Sequence, residues 1–312
     1  MRLQPDELAR LDRPVPESEI AANGVGWLRV PGWEKLGWLW HGFSTRVGGC
    51  SLAYAPDGSQ GALNLGFTPD DDRELVQRNR AMLAEAISGS ADTPLATIRQ
   101  IHSDLVVAFG STDATRTLAP KADGLMTAAP GILLGIQTAD CTPVLVADRR
   151  QRVVAAFHAG WRGTVQRIVE AGVGRMRLEF GCNPKDLSAA IGPCIGPCCY
   201  AVGEEVLSAF ESQFSYAREL FFEIEETDPV RARYPMMFLN QRAPGHGIEP
   251  PRLHLDLVEA NRRQLLAAGL GARSIRMVGG CTACHPELFF SHRASRGRTG
   301  RMMSVIGIRP DR

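Results

Sequence analysis

The sequence predicts a protein of the α/β class, because patterns typical of strands alternate along the chain with patterns typical of helices. Two runs rich in Val and Ala, 142–147 and 152–157, predict buried strands joined by a short polar link. Three further stretches, 70–88, 163–180 and 256–270, have the apolar spacing and end signals expected of helices. A chain of 312 residues is long enough for one large domain or two ordinary ones.

The composition is that of an ordinary soluble globular protein, with 44% hydrophobic and 22% charged residues. The formal net charge of +1 gives no indication of a nucleic-acid partner or of a charged membrane surface. No apolar run approaches the roughly 20 residues of a membrane span, and the N-terminus has no apolar signal-peptide core. We therefore expect no nucleic-acid or membrane partner, a cytoplasmic location, and eight cysteines in the reduced state.

The first third of the chain contains two candidate site residues. Arg46 lies just before Gly48-Gly49, where a flexible backbone and a cation can hold an anion, although an ordinary surface arginine fits the same pattern. In the helix of 70–88, Asp72 or a neighbour caps the N-terminus, and Asn79 is expected on the polar face. His102 ends an alternating run predicted as a strand, and it is either a metal ligand or a core histidine.

Cys141 and His158 border the two apolar runs in the middle of the chain. If the link between the runs is a tight hairpin centred after Arg149, Cys141 lies directly opposite His158. Arg149-Arg150 is a poor two-residue turn, which favours a four-residue loop with the same register. Opposed residues of an antiparallel pair have Cβ atoms roughly 4.5–5.5 Å apart, so a thiolate and an imidazole could bind one metal ion there. Asp140 points to the other face of the strand, which favours binding to backbone or support of a ligand over joint coordination with Cys141.

The sequence after His158, Ala-Gly-Trp-Arg-Gly-Thr, predicts a sharp turn into a helix that begins at Gly163 or Thr164. Such a turn points free N–H groups towards an oxyanion, and Arg162 adds a guanidinium. The P-loop signature is absent. We therefore expect a phosphate or another oxyanion beside the metal ion.

Five cysteines lie in two later segments, at 191–200 (IGPCIGPCCY) and at 281–284 (CTAC). Their spacing does not match paired CxxC arms, which favours small buried thiols in rigid loops over a second zinc site. Residues 223–251 are rich in Pro and predict an irregular surface segment. Arg293 stands at the start of a basic loop that could reach over the site.

Several long motifs together identify a family. They are QIH (100–102), ADGLMT (122–127), TADCTPVLVAD (138–148), AAFHAGWRGT (155–164), IGPCIGPCCYAVG (191–203), FFSHR (289–293) and TGRM (299–302). On these motifs the sequence closely resembles the multicopper-polyphenol-oxidase-like (laccase-domain) family, also called the peptidoglycan editing factor family, which includes purine nucleoside phosphorylases. The resemblance implies a single large α/β domain at 27–312, with a central mixed β-sheet flanked by helices, after a lead-in at 1–26.

The same resemblance implies a zinc site. Its ligands fall on His102, Cys141 and His158, and two imidazoles with one thiolate leave the open fourth position of a catalytic zinc. Zinc is favoured over copper, because the sequence lacks the His-x-His pairs of a multicopper centre. The implied substrates are purine nucleosides and phosphate. The implied reactions are phosphorolysis of adenosine, inosine, guanosine and methylthioadenosine, and deamination of adenosine.

Catalytic roles follow from that chemistry. Arg46, Arg162 and Arg293 would orient phosphate, and Asp140 would orient a ligand histidine or move a proton. Three other functions stay open at this point: a cytoplasmic hydrolase that edits a peptidoglycan precursor, a copper-dependent phenol oxidase, and a non-catalytic metal-binding module.

Overall fold

The computed structural model describes residues 2–3, 5–55, 61–110, 119–224 and 252–311. Most of the predicted irregular segment 223–251 lies outside these residues. The strands in chain order are β1 Arg2–Leu3, β2 Glu19–Ile20, β3 Gly26–Leu28, β4 Leu39–Ser44, β5 Leu95–Thr97, β6 Val106–Ala108, β7 Gly124–Thr127, β8 Leu133–Thr138, β9 Thr142–Asp148, β10 Val154–Ala159, β11 Leu187–Ile191, β12 Ala201–Val202, β13 Phe221–Ile224, β14 Arg252–Leu255, β15 Ile275–Met277 and β16 Met302–Ile308.

The α-helices of the described residues are α1 Pro5–Ala9, α2 Arg73–Ser88, α3 Trp161–Val165, α4 Ile168–Phe180, α5 Glu204–Glu211 and α6 Leu257–Ala267. α2 begins at the predicted cap, where the Asp72 carboxylate accepts the N–H of Glu74 at 2.7 Å. The predicted helix of 163–180 is two helices instead. Arg167, at φ 62°, interrupts them, because a left-handed residue cannot continue a right-handed helix.

The strands form three sheets. One six-stranded sheet has the order β2-β3-β4-β16-β8-β5, a second has the order β15-β11-β9-β10-β7-β6, and a four-stranded sheet has the order β1-β13-β14-β12. All three contain both parallel and antiparallel pairs. The predicted α/β class with mixed sheets flanked by helices is thus confirmed, with two large sheets in place of one central sheet.

The two large sheets pack face to face. Successive side chains of each strand point to opposite faces of its sheet, so one set faces the other sheet and the next set faces the helices. Leu145 and Ala147 of β9 face the core between the sheets, whereas Val144 and Val146 face α4 and α6 on the outside. The other sheet buries its outer face against α2. Strands covered on both faces explain why the central runs contain almost no polar residues.

The hairpin of β9 and β10 does not have the predicted register. His158 lies opposite Pro143, two residues from the predicted partner, and Cys141 precedes the strand. A shift of two keeps each side chain on its face, so the two residues still approach each other.

A turn built by Asp148 causes this shift. Its N–H donates to the carbonyl of Val153 at 2.8 Å, and its carboxylate accepts the N–H groups of Arg150 and Gln151 at 2.7 and 2.9 Å. The link is therefore longer than a two-residue turn. The Asp148 side chain imitates a backbone turn, as aspartate commonly does.

The predicted strand of 96–109 is also interrupted. β5 and β6 belong to different large sheets, and His102 lies in the connection between them. The predicted lead-in contributes β1, β2 and α1, and the boundary after residue 26 stays a prediction. Among the described residues, no helix combines the length and the apolar character needed to cross a membrane.

Candidate metal centre

Three side chains meet between the two large sheets at the ends of their strands. His102, Cys141 and His158 each offer one ligand atom, and these atoms all lie within 4.8 Å of one another. The Sγ of Cys141 is 3.9 Å from the Nε2 of His102, and the rings of His102 and His158 cross at 74° with centroids 5.0 Å apart. Two imidazoles and one thiolate at these separations can converge on one metal ion.

Two of the three residues are delivered by turns. His102 has a left-handed backbone (φ 59°), and Asp140, just before Cys141, has φ 90°. Such conformations are uncommon for residues other than glycine and persist only where the surroundings hold them. His158, by contrast, lies within β10, so a regular strand fixes its position.

A buried carboxylate, Asp123, holds this arrangement together. One oxygen, Oδ1, accepts the backbone N–H of His102 at 3.0 Å and lies 2.8 Å from Nδ1 of His158. The other, Oδ2, accepts the N–H groups of Ile101 and Ser103 at 3.1 and 2.7 Å and the Ser103 hydroxyl at 2.8 Å. Asp123 therefore holds the turn that carries His102 and orients the ring of His158. Nε2 of His158 then faces the centre.

Cys141, His158 and the supporting carboxylate of Asp123 have displaced pKa values. Burial opposes the charge on His158, but the Cys141 thiolate and the Asp123 carboxylate raise its pKa to about 9. Burial likewise opposes the thiolate of Cys141, but His158 and His102 lower its pKa to about 6. The pKa of Asp123 falls to about 2, because hydrogen bonds from His158 and Ser103 outweigh its burial. Without a metal ion, the centre at neutral pH thus holds a thiolate and an imidazolium.

Gly160 leaves room for an ion beside the ligands. A Cβ atom at this position would lie 3.0 Å from the Sγ of Cys141 and 3.0 Å from a ring carbon of His102. Any larger residue would thus intrude on the centre. The donor set and this space fit a soft or borderline divalent metal such as zinc.

A second wall of the site contains the other candidates. The Asp140 carboxylate accepts the Arg293 backbone N–H and the Thr282 hydroxyl, both at 2.6 Å. It therefore joins two segments, and the carboxylate that orients a ligand histidine is Asp123 rather than Asp140. The Arg293 guanidinium lies 5.3 Å from the centre of the Tyr200 ring and donates to the carbonyl of Ala201 at 2.8 Å.

Tyr200 connects this wall to the metal ligands. Burial and the nearby Cys141 thiolate raise the pKa of Tyr200 well above its usual range, opposed in part by Arg293 and Arg162. The charges of Arg293 and Arg162 thus stabilise the ionised Tyr200 side chain, and the charge of the Cys141 thiolate destabilises it. Arg162 is exposed and stacks over Trp161 at 4.5 Å.

Arg46 is placed differently. Its guanidinium donates to the carbonyls of Pro286 and Tyr54 and lies 4.7 Å from the centre of the Phe290 ring. Through these contacts the guanidinium connects the loop at Tyr54 to the loop at Pro286. The predicted role of Arg46 in binding phosphate stays a prediction, because these contacts are with loop residues and not with the three candidate ligands.

Two features of the site were not predicted from the sequence, the role of Asp123 and that of Tyr200. Both residues lie in motifs noted above, ADGLMT and IGPCIGPCCYAVG, but the sequence does not show which distant residues each of them contacts. The signal that could have identified Asp123 is a carboxylate at the start of a fully buried strand, where an acidic side chain needs partners.

A family model described as multi-copper polyphenol oxidoreductase laccase matches residues 40–309. The chain belongs to this laccase family. The predicted family is thus confirmed.

A relative in Bacteroides thetaiotaomicron named purine nucleoside phosphorylase is 34% identical over 289 residues, which cover 90% of this chain and 96% of the relative. A protein named adenosine deaminase RL5, from an unknown prokaryotic organism, is 33% identical over 250 residues, or 78% of this chain and 86% of that protein.

A solved structure of the laccase family has the same fold. The crystal structure of YlmD from Geobacillus stearothermophilus superposes with a TM-score of 0.75 at 32% identity, covering 95% of this chain and 100% of that one. The family match at residues 40–309 includes all segments that build the candidate centre.

Proposed function

We propose that the protein is a zinc-dependent purine nucleoside phosphorylase that also deaminates adenosine. The observation that carries the proposal is the convergence of His102, Cys141 and His158, in a family whose relatives are named for these two activities. Two imidazoles and one thiolate leave a coordination position open for a substrate or a water molecule. When bound, zinc would supply Lewis-acid polarisation and an activated water.

Phosphorolysis needs an anion to be held against a ribose. A phosphate oxygen attacks the anomeric carbon, the bond from that carbon to the purine nitrogen breaks, and the purine takes the electron pair and a proton. We assign phosphate to Arg162 and Arg293, because Arg162 closely follows Gly160 beside Cys141, and Arg293 lies over the Tyr200 ring in the second wall. Two guanidinium groups can orient the anion and partly neutralise its charge.

Tyr200 is assigned to the leaving purine. Its raised pKa keeps the phenol protonated at neutral pH, so it can donate a hydrogen bond as charge develops on the purine nitrogen. Asp140 holds the backbone of Arg293 in place and, in this proposal, positions that arginine.

Deamination of adenosine is the second reaction at the same centre. A water oxygen adds to the purine carbon that bears the amine, and ammonia leaves with the proton it gains. The relative named adenosine deaminase RL5 favours this activity for the present chain. The methylthioadenosine reaction belongs to the same proposal as phosphorolysis, because only the group at the far end of the ribose differs.

Product analysis tests the proposal. Purified protein is incubated with inosine, with and without phosphate. We expect hypoxanthine and ribose 1-phosphate only when phosphate is present, and we expect adenosine to release ammonia without phosphate. Cys141→Ser should abolish both reactions together with zinc binding at this centre, whereas Cys50→Ser, a matched change outside the site, should leave them unchanged.

Three other outcomes would each support a different function from the sequence analysis. Stoichiometric copper with oxygen-dependent oxidation of a phenol would replace the proposal by a phenol oxidase. Turnover of a peptidoglycan precursor without any consumption of nucleosides would replace it by an editing hydrolase, and zinc binding without turnover by a metal-binding module. The cytoplasmic location stays a prediction.

A further inference from the structure

A second cluster of possible metal ligands lies outside the centre described above. The sulfur atoms of Cys198, Cys199, Cys281 and Cys284 all lie within 4.8 Å of one another. All four are free cysteines, and the proposed reactions make no use of them. The sequence favoured isolated buried thiols here, because adjacent cysteines at 198 and 199 do not form a CxxC arm.

We propose that these four cysteines bind a second zinc ion through four thiolates. Such a site is closed, since four protein ligands complete a tetrahedron and leave no position for a substrate. It would be structural, whereas the centre of His102, Cys141 and His158 has an open position. The second ion does not depend on the proposed purine chemistry.

The separations of the sulfur atoms favour zinc over a disulfide. Four thiolates at the usual zinc–sulfur distance of ~2.3 Å in a tetrahedron lie about 3.8 Å from one another. The Sγ of Cys284 is 3.6 Å from that of Cys198 and 3.4 Å from that of Cys199. A disulfide would need ~2.05 Å and joins only two residues, whereas here one sulfur is near two others at once.

The backbone of both loops is built to bring the four sulfurs together. Residues 194 and 281 form a parallel β-bridge, and the N–H of Thr282 donates to the carbonyl of Cys194 at 3.0 Å. On one side of this bridge, the N–H groups of Cys199 and Tyr200 both donate to the carbonyl of Gly196 at 3.0 Å, which closes a tight turn. On the other, the N–H of Cys284 donates to the carbonyl of Cys281 at 3.2 Å.

Gly196 provides space beside the sulfurs, as Gly160 does at the other centre. A Cβ at 196 would lie 3.0 Å from the Sγ of Cys198 and 3.1 Å from the Cβ of Cys281. On zinc binding, each remaining S–H bond breaks, its proton goes to solvent and no electrons are transferred.

The second ion would stabilise one wall of the first centre. Cys199 is followed by Tyr200, and Cys281 is followed by Thr282, whose hydroxyl donates to Asp140 next to the ligand Cys141. The four thiolates thus join the two loops that carry Tyr200 and the partner of Asp140. We expect loss of the second ion to loosen this wall while His102, Cys141 and His158 keep their own ion.

Metal analysis of variants tests the second site. Full-length protein is purified under reducing conditions, loaded with zinc and freed of excess metal. We expect about two zinc ions per chain in the unchanged protein, about one in Cys284→Ser, about one in His158→Ala and none in the double variant. Cys50→Ser changes a cysteine outside both clusters and should keep about two.

Cobalt substitution distinguishes the two sites by their ligands. Charge transfer from thiolate to cobalt grows with the number of thiolates, so Cys284→Ser should lose most of the absorption and His158→Ala little of it. One zinc ion per chain, lost in His158→Ala and kept in Cys284→Ser, would refute the second site and leave the proposed function standing.

Thiol alkylation keeps the test decisive if Cys284→Ser does not fold. In the zinc-loaded unchanged protein, the four cysteines should resist iodoacetamide until a chelator is added, and peptide mass spectrometry identifies the labelled positions. Rapid labelling before chelation, or a disulfide between Cys284 and either Cys198 or Cys199 in freshly purified protein, would overturn the proposal.

Discussion

At the scale of single residues, Asp123 is the support on which the candidate centre most depends. It accepts hydrogen bonds from three consecutive backbone N–H groups and from His158, while none of its side chain is exposed. A buried carboxylate without partners would cost several kcal/mol, so these donors also explain how it can lie in the core. The left-handed turn at His102 and the orientation of His158 therefore depend on the same group.

Replacing Asp123 by Asn should weaken zinc binding about 10–100-fold, the usual effect of removing the partner of a ligand histidine. The amide cannot accept all the hydrogen bonds that the carboxylate accepts, and its lost charge no longer favours the donor tautomer of His158. Competition with a chromophoric chelator at constant pH measures the change.

Asp148→Asn is the matched control for this change. Asp148 is equally buried and also accepts backbone N–H groups, but it lies in the turn between β9 and β10. We expect it to lower stability and to leave the zinc affinity of the folded protein within about twofold. Asparagine can form the same kind of turn, and the hydrogen bonds of residue 148 do not reach a candidate metal ligand. Equal zinc affinities in the two variants would contradict the role given to Asp123.

The number of protons released by zinc at the first centre should depend on pH. The pKa of Cys141 is about 6 and that of His158 about 9, and both residues must be deprotonated to bind zinc. Below pH 6 both residues carry protons, so these two ligands together release about two protons on zinc binding. Between pH 6 and 9 only His158 carries one, so the pair releases about one, and above pH 9 the pair releases none. Affinity therefore rises with pH up to about 9.

Calorimetry in buffers of different ionisation enthalpy measures these protons, and the Cys284→Ser variant restricts the titration to the first centre. A release close to zero at pH 7.5 would mean that His158 is already neutral in the metal-free protein. The Cys141 thiolate and the Asp123 carboxylate would then not raise its pKa as inferred.

At the scale of elements, the packing of α4 on β10 explains a glycine within the helix. A Cβ at Gly172 would lie 2.3 Å from the ring of Phe157, a fully buried side chain that neighbours His158 in sequence. At Gly174 of the same helix, a Cβ would meet no atom within 4 Å. Gly172 thus permits the close approach of helix and strand, whereas Gly174 lies where a larger side chain would also fit.

Gly172→Ala should therefore destabilise the protein by about 1–3 kcal/mol through overpacking. Gly174→Ala should stabilise it by roughly 0.5–1 kcal/mol, because alanine favours the helix and finds free space. Urea denaturation of both variants gives the comparison, and a stabilising Gly172→Ala would show that Phe157 can move aside.

The elements that the sequence predicted well are those with a strong local pattern. The apolar runs of β9 and β10 and the cap of α2 at Asp72 lie where the pattern indicates them. Asn79 was wrongly expected on the polar face of α2. It is fully buried and donates to Ser51 and to the carbonyl of Asn64, which holds a loop that sequence periodicity does not describe.

The site shows the same division between local and distant information. Cys141 and His158 could be paired from the sequence because they border one hairpin, although its register depended on the side chain of Asp148 in the turn. The approach of Asp123, Tyr200 and Thr282 depends on contacts between segments far apart in the chain. A single sequence contains no periodic signal for such contacts.

At the scale of the whole molecule, the two candidate metal centres join segments that are far apart in the chain. The first centre connects the β5–β6 link to the β9–β10 hairpin, and the proposed second centre connects the loop after β11 to the loop after β15. Asp140 and Thr282 link the two centres by one hydrogen bond of 2.6 Å. Metal binding should therefore stabilise the folded chain as a whole.

Thermal unfolding with and without zinc should show this stabilisation directly. At free zinc about 100-fold above the dissociation constant, one site that exists only in the folded state contributes about 2.7 kcal/mol. We expect each occupied site to raise Tm by on the order of 5 °C. Scanning calorimetry should give about half the total shift in Cys284→Ser and in His158→Ala and none in the double variant. An undiminished shift in the double variant would place the stabilising zinc elsewhere, because neither centre would retain its full set of ligands.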